Sequence, residues 1–152
     1  MSYWGNSLEE RIDTIKKKIQ EFPDWENRYK FIMDLGRQLS PMEEKNKEEK
    51  FLIKGCQSLV WLYPELKEGR IYFQADSESA LVKGIISLLV LVYNGELAKT
   101  IFHHRPDFLK EIGIAEQLTM NRSNGLLMMI KQIHLYAAAF LAIDSHKNSL
   151  KD

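Results

Sequence analysis

The chain has 152 residues but only one cysteine, Cys56, and no excess of either charge. Each scarcity excludes something. A single thiol permits no intramolecular disulfide and no multi-cysteine zinc or iron–sulfur site on one chain. Lysine plus arginine and aspartate plus glutamate each number 21, a net charge of zero. Without a global field to hold a polyanion, nucleic acid is not an expected partner. The apolar stretch Ile85–Tyr93 is interrupted by Ser87, flanked by Lys83 and Glu96, and too short to cross a bilayer, so no membrane is expected either. Met1–Asn6 lacks the basic stretch and apolar run of a signal peptide, and the expectation is a cytoplasmic, reducing compartment. No internal repeat is visible.

What is present is ordinary for a globular chain: 45% hydrophobic and 28% charged residues, which sets aside a disordered chain, a collagen and a disulfide-stapled miniprotein. The length suits one domain over 1–152, with its core over about 8–143, a charged loop at 43–50 and a frayed end at 144–152. Ser7 and Glu10 form a capping box ahead of Ile12, Ile15, Ile19 and Phe22 at helical spacing, and Pro23 ends that helix. Asp24 caps a second helix carrying Trp25, Tyr29, Ile32 and Leu35. Residues 43–50 mix both charges and read as a solvated loop or frayed helix.

The period then changes. Leu59–Tyr63 is β-branched and aromatic, Pro64–Gly69 has turn chemistry, and Arg70–Ala75 alternates, which predicts an antiparallel hairpin with Phe51–Lys54 as a third strand. Asp76 or Ser77 caps a helix through Leu81, Ile85, Leu88, Leu89 and Val92, apolar nearly all round and hence central. Asn94-Gly95 stops it. Short helices follow over Glu96–His103 and Pro106–Ile112, then a long one capped by Thr119 or Asn121, with Leu126, Met129, Ile130, Ile133, Ala137, Phe140 and Leu141 as its buried stripe. The expected fold class is α+β, a single domain with a small antiparallel sheet of about three strands packed with several helices.

Chemistry concentrates on few residues. Cys56 lies in Lys54-Gly55-Cys56-Gln57-Ser58, ahead of the strongest strand, where Gly55 admits a backbone conformation closed to other residues. A free cysteine is often just a small buried hydrophobe, and spacing alone leaves this open. No hydrolase signature surrounds it, and His103, His104, His134 and His146 lie far along the chain. His103 and His104 are adjacent on a helix and make a poor metal pair; no metal site is expected. Arg122, in the first turn of the last helix, opposes the helix dipole, which hints at another use.

Gly55-Cys56-Gln57-Ser58-Leu59-Val60-Trp61 closely resembles the signature of the SufE family of sulfur acceptors. Ala75–Gly84 and Leu118–Leu126 resemble its second and third blocks in register, and Trp25, Tyr29 and Leu35-Gly36 resemble its N-terminal helix block, so the likeness spans roughly Trp25 to Ala138. The resemblance implies a SufE/IscU-like fold and a role in iron–sulfur cluster assembly. It implies that Cys56 takes sulfur as a persulfide from a PLP-dependent cysteine desulfurase (SufS-like), stimulates that enzyme, and passes the sulfur to a cluster scaffold (SufBCD-like), with no cofactor of its own. Gly55, Gln57, Ser58, Asp76 and Arg122 fall on motif positions and are candidates for shaping the loop or docking the desulfurase. The lysine-rich segment before the loop departs from the family pattern.

Sulfur transfer is a thiol–disulfide type of exchange that needs one exposable cysteine and no second one, and a one-cysteine chain suits it. Lys54 is a candidate for favouring the thiolate, and Ile53, Leu59 and Val60 are the expected apolar cover over Cys56. Two other readings stand beside this one: a non-carrying allosteric activator of a desulfurase, and an unrelated cysteine-dependent hydrolase, which would require a histidine beside Cys56.

Overall fold

A segment without a polar face has to be covered on every side, and Ala80–Tyr93 sets the layout. The computed structural model describes residues 4–151, with side chains through 144. Helix α3 spans Ala80–Tyr93, and every residue from Gly84 to Tyr93 is buried. Each fully buried Leu or Ile contributes about 1.5–3 kcal/mol, which makes α3 the largest single source of core burial. Its cap is Ser79, whose side chain accepts from the Val82 N–H at 3.3 Å. Asp76 and Ser77, expected in that role, instead end a strand.

Helices α1 (Leu8–Gln20) and α2 (Trp25–Arg37) cover one flank of α3. Ser7 caps α1 through the Glu10 N–H at 3.1 Å, while the Glu10 carboxylate accepts from the Asn6 N–H at 2.8 Å. Asp24 caps α2 through the Asn27 N–H at 2.8 Å. Arg11 is buried, donates to the Val92 carbonyl at 2.9 Å and pairs with Glu96, tying α1 to the end of α3. α2 and α3 meet at two glycines. A Cβ on Gly36 would lie 2.7 Å from the Gly84 nitrogen, and one on Gly84 would lie 2.8 Å from the Ile32 carbonyl carbon.

Strands β1 (Val60–Lys67) and β2 (Arg70–Ser77) pair antiparallel from Val60 opposite Ser77 to Lys67 opposite Arg70. The turn is only Glu68-Gly69, with φ of 51° and 78°, the two left-handed residues of a tight hairpin. Pro64–Lys67 therefore belong to the strand rather than to the turn; β1 is an edge strand, where the missing N–H of Pro64 is tolerated. The third strand is not Phe51–Lys54 but β3, Glu96–Leu97, which pairs with the other edge of β2. Phe51–Lys54 supplies one bridge, Leu52 to Trp61. The segment 43–50 forms two single-turn 3-10 helices, Glu44–Asn46 and Glu49–Phe51, and the buried Asn46 donates to Gln74 of β2 at 3.1 Å.

The remaining chain is helical: α4 (Ala98–His103), α5 (Phe108–Ile112), α6 (Ile114–Gln117) and α7 (Met120–Lys151). Gly113, at φ 85°, turns α5 into the unforeseen α6. Thr119 caps α7 through the Arg122 N–H at 3.3 Å. Met120–Asp144 has the length and apolarity of a membrane span, unlike the shorter Ile85–Tyr93 stretch on which none was expected. In this fold its Leu126, Met129, Ile133 and Ala137 are buried in the domain core. The result is one α+β domain with a three-stranded antiparallel sheet.

The glycine crossing yields a prediction. Gly84→Ala gains about 1 kcal/mol of helix propensity, yet it overpacks a backbone contact that cannot rotate away. We expect a net loss of about 2 kcal/mol in chemical denaturation; unchanged stability would contradict the close crossing.

Candidate functional site

The chain between β-bridge and strand is a short loop pinned at its base. The Ile53 N–H donates to the Val60 carbonyl at 2.8 Å beside the Leu52–Trp61 bridge. On the far side, the Leu59 carbonyl accepts from the Ser77 hydroxyl at 2.7 Å and the Glu78 N–H at 3.3 Å. At the tip the loop lies against α7 through two glycines. Gly55 has φ 88°, and a Cβ there would meet Met128 Cγ at 2.9 Å. Gly125 of α7 admits Cys56 Sγ to 3.4 Å from where its own Cβ would stand. The thiol donates to the Gly125 carbonyl at 3.6 Å.

Cys56 is half-buried, and it opens onto a cavity of about 260 Å³ lined by Gln57, Ser58, Asn121 and Arg122 and floored by Val82, Ile85 and Met129. Burial pushes the Cys56 thiol above its ordinary value. Lys54 is exposed and is not among the residues that line the cavity, so its expected assistance to the thiolate finds no support. The cover also differs from expectation: Ile53 and Val60 are buried, but Leu59 is 43% exposed, and α7 does the shielding.

Of the residues picked from the sequence, Gly55, Cys56, Gln57, Ser58 and Arg122 come together here. Among the described residues no carboxylate lies within ion-pair distance of Arg122. Its charge acts on Tyr29: desolvation raises that phenol, Arg122 opposes the rise, and the hydroxyl donates to the Gln117 carbonyl at 2.7 Å.

Asp76 stands apart from the cavity lining. Its carboxylate meets Lys47 at 2.7 Å and Lys83 at 3.4 Å and accepts from the Ser77 N–H at 2.8 Å. Desolvation pushes this carboxyl up, but Lys47, the Ser77 N–H and Lys83 together outweigh it and hold the group below the usual aspartate range.

Lys47, Gly125, Met128 and Ser77 were not singled out from the sequence as site residues. Gly125 carried a usable signal, a glycine inside a helix where only close approach repays its propensity cost. Lys47 carried none, being one cation among many in 43–50.

Among the described residues no histidine lines the cavity. His104 shares a hydrogen bond with the Tyr93 hydroxyl at 2.7 Å, His134 meets the His104 carbonyl at 2.7 Å, and His103 packs edge-on against Phe102. A larger apolar cavity of about 500 Å³, between α5, α6 and α7, holds His134 but no thiol. Among the described residues no group of His, Cys, Asp or Glu could hold a metal.

A half-buried thiol in a glycine-seated loop, opening onto a small cavity that Arg122 also lines, defines an α+β domain built around one cysteine. The family model for SufE, an Fe–S metabolism associated domain, matches residues 13–137. An uncharacterised SufE-like protein of Synechocystis sp. is 32% identical over 134 residues, covering 88% of this chain and 84% of its own. The solution structure of a hypothetical protein from Thermus thermophilus shares the fold, with a TM-score of 0.71 at 18% identity over 89% of this chain and 96% of its own. The chain belongs to the SufE family, and with it to iron–sulfur metabolism.

The geometry predicts slow chemistry at Cys56 in the free protein. Iodoacetamide should modify native protein at least about tenfold more slowly than urea-unfolded protein, with a pH midpoint above the ordinary thiol value of about 8.5. Equal rates, or a midpoint below that value, would contradict the seating against α7.

Proposed function

We propose that this protein is a sulfur acceptor and carrier in the cytoplasm. It takes sulfane sulfur from a PLP-dependent, SufS-like cysteine desulfurase onto Cys56, stimulates that enzyme by relieving it of product, and hands the sulfur to a SufBCD-like cluster scaffold. The observation that carries this reading is the Cys56 cavity. At about 260 Å³ it is several times the roughly 30 Å³ share of a water molecule, so a second sulfur atom on Sγ has room beside Gln57, Ser58 and Arg122.

The transfer balances without an outside oxidant. The Cys56 thiolate attacks the outer sulfur of the donor's persulfide, a new S–S bond forms, and the donor's S–S bond breaks. The electron pair leaves on the donor cysteine as a thiolate, which can take up the proton that burial keeps on Cys56 in the free protein. Held on the shielded loop, the persulfide is kept from further oxidation. Nearby Arg122 offers a cation to the persulfide anion, and Gln57 and Ser58 offer donors.

That no histidine among the described residues lines the cavity speaks against the hydrolase reading. Carrier and pure activator separate on one variant. Cys56→Ser keeps the surface and removes the nucleophile. Stimulation of desulfurase turnover by this variant should fall at least about tenfold, measured as sulfide or alanine release; full stimulation by Cys56→Ser would establish a non-carrying activator instead.

A further inference from the structure

The charged segment 43–50 is the feature of this chain that sulfur transfer leaves without a task. Two of its ion pairs are internal and solvated: Lys45 with Glu43 at 3.3 Å and Lys50 with Glu48 at 3.4 Å, every side chain more than half exposed. Such pairs contribute little. Lys47 differs. Besides pairing with Glu44 inside the segment at 3.0 Å, its ammonium reaches out to Asp76 at 2.7 Å, with the Lys47 and Asp76 side chains about four-fifths buried (22% and 20% exposed), and lies 5.7 Å over the Trp61 ring.

Asp76 is a junction of three elements. One carboxylate oxygen faces Lys47, and the other accepts from the Ser77 N–H and faces Lys83 of α3. Ser77 in turn donates to the Leu59 carbonyl, the anchor on the C-terminal side of the Cys56 loop. Trp61, beneath Lys47, pairs with both Asp76 and Leu52, closing the other side. Both ends of the loop thus converge on the Lys47–Asp76 pair. Beyond that base, what holds the tip is the thiol hydrogen bond to Gly125 and the glycine contacts with α7.

We propose that Lys47 is a positioning residue for the Cys56 loop: through Asp76 it fixes the base of the loop, keeps the thiol seated against Gly125 and makes its release sensitive to ionic strength. The proposal rests on the reading of Cys56 as the sulfur-accepting thiol. A clasp made of charge can be opened by salt or by a charged partner surface, whereas apolar packing cannot. The carboxylate of Asp76, held below its usual range, keeps the clasp charged through the neutral range.

The test measures Cys56 alkylation in the full chain at constant pH, from about 20 mM to about 0.5 M sodium chloride, across which the Debye length falls from roughly 20 Å to about 4 Å. The wild-type rate should rise about two- to fivefold with salt. In Lys47→Met it should begin at or above the high-salt wild-type rate and stay flat, with Lys47→Arg restoring the wild-type slope. Asp76→Asn should behave like Lys47→Met and serves if that variant melts too low. A wild-type slope in both Lys47→Met and Asp76→Asn, whatever their stability, would overturn the proposal. Sulfur uptake from a desulfurase is measured in parallel: no uptake by wild type sinks the carrier reading and leaves the salt-linked clasp standing, while normal uptake with salt-independent alkylation sinks the clasp alone.

Discussion

Everything in this fold is arranged around the need to cover α3 from all directions. A helix whose residues from Gly84 to Tyr93 are all buried has no outer face, so helices, sheet and α7 are each obliged to contribute a layer. The close crossing of α2, made possible by Gly36 and Gly84, brings one layer to backbone contact. The sheet closes another side, with Leu62, Ile71, Phe73 and Ala75 pointing into the same core. The burial also fixes where chemistry can happen. Val82 and Ile85 of α3 line the cavity onto which Cys56 opens, so the Cys56 loop lies against the most thoroughly buried element of the molecule.

The loop itself combines a firm base with a lightly held tip. The Ile53–Val60 backbone hydrogen bond and the Ser77–Leu59 contact fix the ends. The tip depends on one long S–H···O contact and on the absence of side chains at Gly55 and Gly125. A thiol hydrogen bond is weak beside the net of about 1 kcal/mol of an ordinary one, so displacing the tip costs little compared with unfolding its base. That division suits the sulfur-accepting role proposed for Cys56.

Much of this was legible in the residues. The apolar run in α3, the caps Ser7 and Asp24, the end of α5 at Ile112 and the hairpin all rest on local chemistry that tertiary contacts reinforce. Errors fell where local signals compete. Asp76, Ser77 and Ser79 are all good cap residues, and pairing of Ser77 with Val60 extended the strand and left Ser79 to cap. Phe51–Lys54 has strand composition, yet it reaches β1 through one bridge, while Glu96–Leu97, which reads as helix start, is drawn to the open edge of β2. Pro64 reads as a turn until β1 is seen to be an edge. At the site, Cys56 and Arg122 are visible as residue types in a pattern, and Gly125 as a glycine inside a helix; Lys47 meets Asp76 through a contact between distant segments, which no periodicity announces.

The central claim is that sulfur becomes covalently attached to Cys56. The most direct measurement is intact-mass spectrometry of the chain after incubation with a cysteine desulfurase, PLP and L-cysteine, with and without reductant. A reductant-labile gain of about 32 Da, one sulfur atom, mapped to the peptide bearing Cys56 is the predicted result. An unchanged mass under conditions where the desulfurase turns over would contradict it.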